Sequence, residues 1–92
     1  MYEVVYVRRF KKAYKKLLKS GSFDDNGLQK VYLLLKEKKE LPYFYRDHAL
    51  KGDFEGYREC HIESDLLLLY EVDNQNNTLT FVDIGSHSAL FG

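Results

Sequence analysis

The sequence predicts an α+β fold of order βααβββ over residues 1–92: one domain, with a helical hairpin packed on one face of a mainly antiparallel sheet. Three observations predict it. A β-branched and aromatic stretch opens the chain, two segments with apolar residues at helical spacing follow, and three strand-like runs separated by polar turns close it. A chain of 92 residues suffices for one core and not for two. Its 45% hydrophobic content, with eight tyrosines and six phenylalanines, excludes a disordered tail.

Tyr2-Glu3-Val4-Val5-Tyr6-Val7 reads as the opening strand. From Arg8 the period changes: Phe10, Tyr14, Leu17 and Leu18 share one helical face, and lysines including Lys11, Lys12 and Lys15 fill the rest. Ser20-Gly21 stops this helix. Asp24, Asp25 and Asn26 are N-cap candidates for a second helix, whose apolar positions Leu28, Val31, Tyr32, Leu34 and Leu35 should pair with the first. Lys36 to Lys39 complement its C-terminal dipole, and Pro42 forbids continuation. Tyr43-Phe44-Tyr45 should anchor a following loop, from Arg46 to about Phe54, with its bend at Gly52.

Three strands follow. Gly56 to Ile62 is the first, and Glu63-Ser64-Asp65 is its turn. Leu66 to Val72 is apolar almost throughout, which predicts a central strand buried on both faces. Asp73 to Asn77 is a polar hairpin loop, and Thr78 to Ile84 is the last strand, leading into the Gly85–Gly92 segment.

Composition also limits function. No apolar run reaches the roughly 20 residues of a membrane span, and the charged N-terminus lacks a signal-peptide core. One cysteine forms no internal disulfide, so a cytoplasmic setting is expected. The net charge of zero hides an asymmetry: residues 1–51 carry 13 Lys+Arg against 6 Asp+Glu, and residues 52–92 carry 1 against 8. The basic half suits a polyanion surface, whereas the acidic half argues against a uniformly basic nucleic-acid binder.

The chemistry concentrates in residues 46–65, which hold His48 and His61 with carboxylates and cations, and in Gly85-Ser86-His87-Ser88-Ala89-Leu90-Phe91. Imidazole is the side chain whose ordinary pKa lies nearest neutrality, so three in a small domain suggest acid–base work. Strand parity puts Tyr57, Glu59, His61 and Glu63 on one face and Arg58, Cys60 and Ile62 on the other. The apolar pair Cys60 and Ile62 takes the core, which leaves His61 on the open face. Arg58 must then lie near the strand's end or snorkel. Cys60 and His61 point to opposite sides, so they form no thiolate–imidazole pair. A zinc site from His48, His61, His87 and Asp65 is chemically allowed, but no diagnostic ligand spacing supports it.

The run Asp47-His48-x-Leu50-Lys51-Gly52, then Gly56-Tyr57-Arg58-Glu59-Cys60-His61-Ile62-Glu63-x-Asp65, then Gly85-Ser86-His87-Ser88, resembles the YafQ branch of the RelE-type toxins. These are ribosome-dependent mRNA endonucleases of type II toxin–antitoxin systems. The resemblance implies metal-independent RNA cleavage without a cofactor, in which the ribose 2′-oxygen attacks the adjacent phosphate. By that resemblance His48, His61 and Asp65 share proton transfer, His87 serves as acid or phosphate donor, and Phe91 stacks on a base. Arg46, Lys51 and Arg58, with Lys11, Lys12 and Lys15 of the first helix, are the candidate RNA-binding cations. The resemblance further implies the ribosome and mRNA as partners, with a cognate antitoxin of DinJ/RelB-like type, and no membrane.

Two positions depart from the family's pattern. The aromatic that commonly follows the catalytic aspartate is Leu66, and the phosphate-binding arginine of the last strand is Asp83. A carboxylate in place of that cation removes transition-state stabilisation and repels phosphate. It raises an alternative: a catalytically weak toxin fold that binds antitoxin or ribosome, or acts as a co-repressor.

Overall fold

The computed structural model describes residues 1–92 as one five-stranded sheet with helices. The strands are β1 (Glu3–Tyr6), β2 (His48–Ala49), β3 (Arg58–Glu63), β4 (Leu66–Asp73) and β5 (Thr78–Gly85). The helices are α1 (Arg8–Lys19), α2 (Asn26–Lys36) and a short α3 (His87–Phe91), with 3-10 turns at Tyr43–Tyr45 and Gly52–Phe54. The sheet order is β1-β5-β4-β3-β2; β1 runs parallel to β5 and every other pair is antiparallel.

The expected α+β order holds, and β4 is central, with Leu66 to Tyr70 all buried. Leu66, Leu68 and Tyr70 join the larger core, built with Phe10, Leu28, Val31, Leu35, Cys60, Leu79 and Phe81. Over it α1 lies against β5 and α2 against β3. Gly27 permits α2's approach, since a Cβ there would stand 3.0 Å from Ile62 Cγ2. Leu67 and Leu69 point the other way, into a smaller cluster with Leu90, flanked by Leu50, Phe54, Tyr57, Val82 and Phe91. The sheet face expected to be open is therefore partly roofed.

Several expectations need correction. The residue 46–54 loop contains β2, which pairs His48 with Glu59 and Ala49 with Arg58; two residues are too few for alternation to show in sequence. The Gly85–Gly92 segment is helical from His87, where Ser86 Oγ accepts the Ala89 amide as a side-chain cap. Of the three aromatics expected to anchor the loop, only Tyr45 is buried; Tyr43 is 92% and Phe44 61% exposed. Leu18 also faces solvent, at the end of the face that Phe10 begins.

What anchors the loop is polar. Asp47 accepts hydrogen bonds from the Arg58 guanidinium at 2.8 Å and from the Tyr70 hydroxyl. Arg58 pairs with Tyr70 across the β3–β4 ladder and so points to the helical face, where Asp47 neutralises it. Burial first, and then the bond to Asp47, push the Tyr70 hydroxyl well above its ordinary pKa.

Truncating Asp47 to Ala leaves the buried Tyr70 hydroxyl without its acceptor, and should lower unfolding free energy by about 2–3 kcal/mol in urea titrations. The raised tyrosine keeps its proton in the folded state and loses it in the unfolded state. Stability is thus intact below the unfolded value of about 10 and declines as pH rises above it. Tyr70→Phe should remove the steepest part of that alkaline loss.

Candidate active site on the histidine face

Directly opposed residues of a ladder share a face, so the register lays out the surface away from α1 and α2. One row runs His48–Glu59–Leu69–Asp83 across β2, β3, β4 and β5, and the next runs His61–Leu67–Gly85. His61 thus lies where parity puts it. Glu59, on the same face, is almost fully buried between two imidazoles: its Oε1 is 3.5 Å from His48 Nε2 and 3.6 Å from His61 Nε2. Glu59 has no role expected from the sequence, and its parity with His61 is the signal that marks it.

The His48 ring is oriented by its own loop. Its Nδ1–H donates to the Arg46 carbonyl at 2.7 Å, which turns Nε2 toward Glu59. Arg46 sits in the left-handed region at φ 51°, so a strained residue delivers that carbonyl. Beside Glu59 opens a cleft of about 250 Å³ lined by His48, Leu50, Lys51, Phe54, His87 and Phe91. His87 and Phe91 stand one helical turn apart, with ring centroids 5.1 Å apart, and Phe54 meets Phe91 edge-on. Phe91 keeps part of its ring exposed.

Asp65 is held close to this group by a different contact than expected. Its Oδ1 accepts the His87 amide at 3.1 Å, which fastens the β3–β4 turn to the start of α3. His61 borders a second hollow of about 510 Å³, shared with Phe44, Tyr45, Arg46, Glu63 and Ser64. Phe44, expected to pack as a loop anchor, stands exposed there.

Other candidate cations lie elsewhere. Arg58 is committed to Asp47 on the helical face. Lys11, Lys12 and Lys15 ride on α1, across the sheet from the histidines; Lys11 lines a groove of about 270 Å³ with Tyr6, Phe10, Tyr14 and Tyr32. Lys51 is in the cleft, and Arg46 is at the second hollow. Leu66 is buried in the larger core and presents nothing to this face.

Asp83 is not the bare carboxylate that its sequence position suggested. It is 6% exposed, its Oδ1 accepts the Ile84 amide, and its Oδ2 receives Arg9 Nε at 2.7 Å. Arg9, 74 residues away in sequence, thus meets the residue that ends the His48–Glu59–Leu69–Asp83 row.

Cys60 is fully buried in the larger core, and burial pushes its thiol far above the ordinary range. No three of the His, Cys, Asp and Glu side chains converge in metal-holding geometry.

The helices cover one face of the sheet, and the imidazoles, Glu59, Lys51 and Phe91 gather on the other. A family model described as "Bacterial toxin of type II toxin-antitoxin system, YafQ" matches residues 2–92. The chain belongs to this YafQ toxin family. It is 38% identical over 78 residues to the mRNA interferase toxin YafQ of Escherichia coli K12, covering 84% of this chain and 83% of that one. The crystal structure of a metal-bound toxin from Helicobacter pylori superposes with a TM-score of 0.91 at 43% identity, over 99% of this chain and all of that one. YafQ in the E. coli DinJ–YafQ complex superposes with a TM-score of 0.89 at 34% identity, over the full length of both chains.

With its thiol buried and raised, Cys60 should resist alkylation in the folded toxin and react at once in urea. Mass spectrometry after timed iodoacetamide exposure reads both.

Proposed function

We propose that this chain is an mRNA interferase: an endoribonuclease that cleaves ribosome-bound mRNA without a metal and is held in check by a cognate antitoxin. The observation that carries the reading is the convergence of His48, Lys51, His87 and Phe91 on one cleft beside the shared carboxylate Glu59. The names and complexes of the relatives support the same reading.

Cleavage by 2′-oxygen attack forms a 2′,3′-cyclic phosphate, breaks the P–O5′ bond and frees a 5′-hydroxyl. It needs a base, an acid and donors to the phosphorane, and side chains alone supply all three. In this reading the pair His48 and His61, coupled through Glu59, takes the 2′-hydroxyl proton. His87, across the cleft, donates a proton to the leaving 5′-oxygen. Lys51 contributes charge near the phosphate, and the exposed part of Phe91 stacks on a base, a contact every base can make. Asp65 acts by holding His87 in place. The RNA-binding roles first assigned to Lys11, Lys12, Lys15 and Arg58 do not belong to this cleft. The α1 lysines instead suit ribosomal RNA phosphates or an acidic antitoxin segment of DinJ/RelB-like type that orders on binding.

No helix is long and apolar enough to cross a membrane. The alternative of a toxin fold that binds without cleaving drew on Asp83 in place of the family's arginine and on the acidic C-terminal half; the ion pair to Arg9 bears on the first of these grounds by offsetting the carboxylate's charge.

Induced expression in a bacterial host, with growth and mRNA 5′ ends followed together, tests the reading. Wild type should arrest growth and create new in-frame 5′ ends; His87→Ala should cut cleavage by about 100-fold or more. In a purified translation system EDTA chelation, compensated for the ribosome's magnesium, should leave cleavage unchanged. Arrest without new 5′ ends, or arrest that survives His87→Ala, would favour the binding module.

A further inference from the structure

We infer that Arg9 is a phosphate-binding residue of the cleavage site, delivered to the histidine face by Asp83, which acts as its positioning residue. The inference rests on the endonuclease reading above and adds to it the source of the directed cation.

The register places Asp83 in the row that begins at His48 and passes through Glu59. With neighbouring strands about 4.8 Å apart, that row is about 14 Å long, the scale of one short RNA segment. Val82 is the extra residue of a β-bulge, since Tyr70 pairs with Phe81 and Leu69 with Asp83. A bulge re-aims the side chains beside it, which suits a carboxylate turned toward the sheet's end. β1 leaves β5 at this level: Val7 N–H makes the last bond, to the Phe81 carbonyl, and α1 starts at Arg8. Arg9 therefore stands beside the uncovered end of β5.

The pair is unequal in a telling way. The Asp83 side chain is 8% exposed and the Arg9 side chain 56%. Asp83 spends one oxygen on the Ile84 amide and the other on Arg9 Nε, so it is fully occupied. Arg9 uses only Nε; its two Nη amino groups have no protein partner and remain in solvent. A guanidinium gripped by one edge and open on the other is oriented for bidentate contact with a phosphate. The pair's net charge is zero, so Arg9 offers aimed N–H donors more than a long-range field. Among the other cations, Arg58 is tied up on the opposite face, while Lys51 and Arg46 have no ion-pair partner to fix them. A surface staple between α1 and β5 would have the same ion pair, so the test must separate positioning chemistry from holding the fold.

Two readouts do so with the full-length toxin: single-turnover cleavage on programmed ribosomes, and binding of a 2′-O-methyl RNA that cannot be cleaved, titrated against salt. Arg9→Gln should slow cleavage by about 100-fold. It should also flatten the salt dependence of RNA binding, by less than the roughly 0.7 in log–log slope of one full single-strand phosphate contact, because Asp83 already offsets part of the Arg9 charge. Asp83→Asn leaves the Arg9 charge in place, removes the carboxylate that offsets it and loosens its grip on Nε, so the rate should fall at saturation with RNA affinity retained or raised. The exchange Arg9→Asp with Asp83→Arg returns a guanidinium to the same row and should recover cleavage to within about tenfold of wild type. Melting and circular dichroism report folding, and the exchange variant serves if a single variant unfolds. An Arg9→Gln protein with wild-type rate and salt slope would overturn the inference, as would a folded exchange variant as slow as Arg9→Gln. A wild type that binds the RNA through Arg9 but cleaves nothing would sink the endonuclease reading and not the phosphate contact.

Discussion

The burial of β4 on both faces is the constraint from which the rest of the structure follows. Five successive residues, Leu66 to Tyr70, are withdrawn from water, and alternate ones point in opposite directions. One set demands the helical layer of Phe10, Leu28, Val31 and Leu35. The other demands a cover that a chain of this length must make from short pieces: the loop carrying Leu50, Phe54 and Tyr57, and α3 with Leu90 and Phe91. Each full burial of such a side chain is worth about 1.5–3 kcal/mol, so neither face can be left wet in so small a fold. The histidines sit on or beside this second cover, and the site is in that sense assembled by the need to roof Leu67 and Leu69.

Because that roof is thin, polar contacts hold it down. Asp47 joins its loop to Arg58 and Tyr70, and Asp65 joins the β3–β4 turn to α3. Glu59 lies between His48 and His61, and Asp83 grips Arg9. Four carboxylates thus do four separate jobs, and in each case the partner decides which. Two fix the backbone that bears a histidine, one couples two imidazoles, and one orients a guanidinium. This is the arrangement expected of a preorganised site, in which side chains around the reacting groups lock their positions before substrate arrives.

The two faces of the sheet also divide the chemistry. The basic surface of α1 lies over the larger core, and the imidazoles lie across the sheet from it. The lysines of α1 and the imidazoles thus lie on opposite sides of the sheet. In the role proposed above, this toxin meets both an antitoxin and ribosome-bound RNA. Under the function proposed, separate faces let one fold present a surface to each.

The sequence by itself determined the elements whose residues report on their own surroundings. The apolar run of β4, the helical spacing from Phe10 and from Leu28, and the parity that sends Cys60 inward and His61 outward are all one-dimensional patterns, because burial repeats with the period of the backbone. Resemblance carried the histidines, Asp65 and Phe91. Tertiary structure alone decided what depends on two distant residues meeting. β2 pairs with β3 beside the point where Asp47 meets Arg58 and Tyr70; the contact of Asp65 depends on the His87 amide; and the fate of Asp83 depends on Arg9, 74 residues earlier. The same letters could have left Asp83 a bare charge facing phosphate. No local period records a long-range ion pair, since its geometry is set by where strand ends and helix starts fall in the packed sheet, and only the folded chain fixes that.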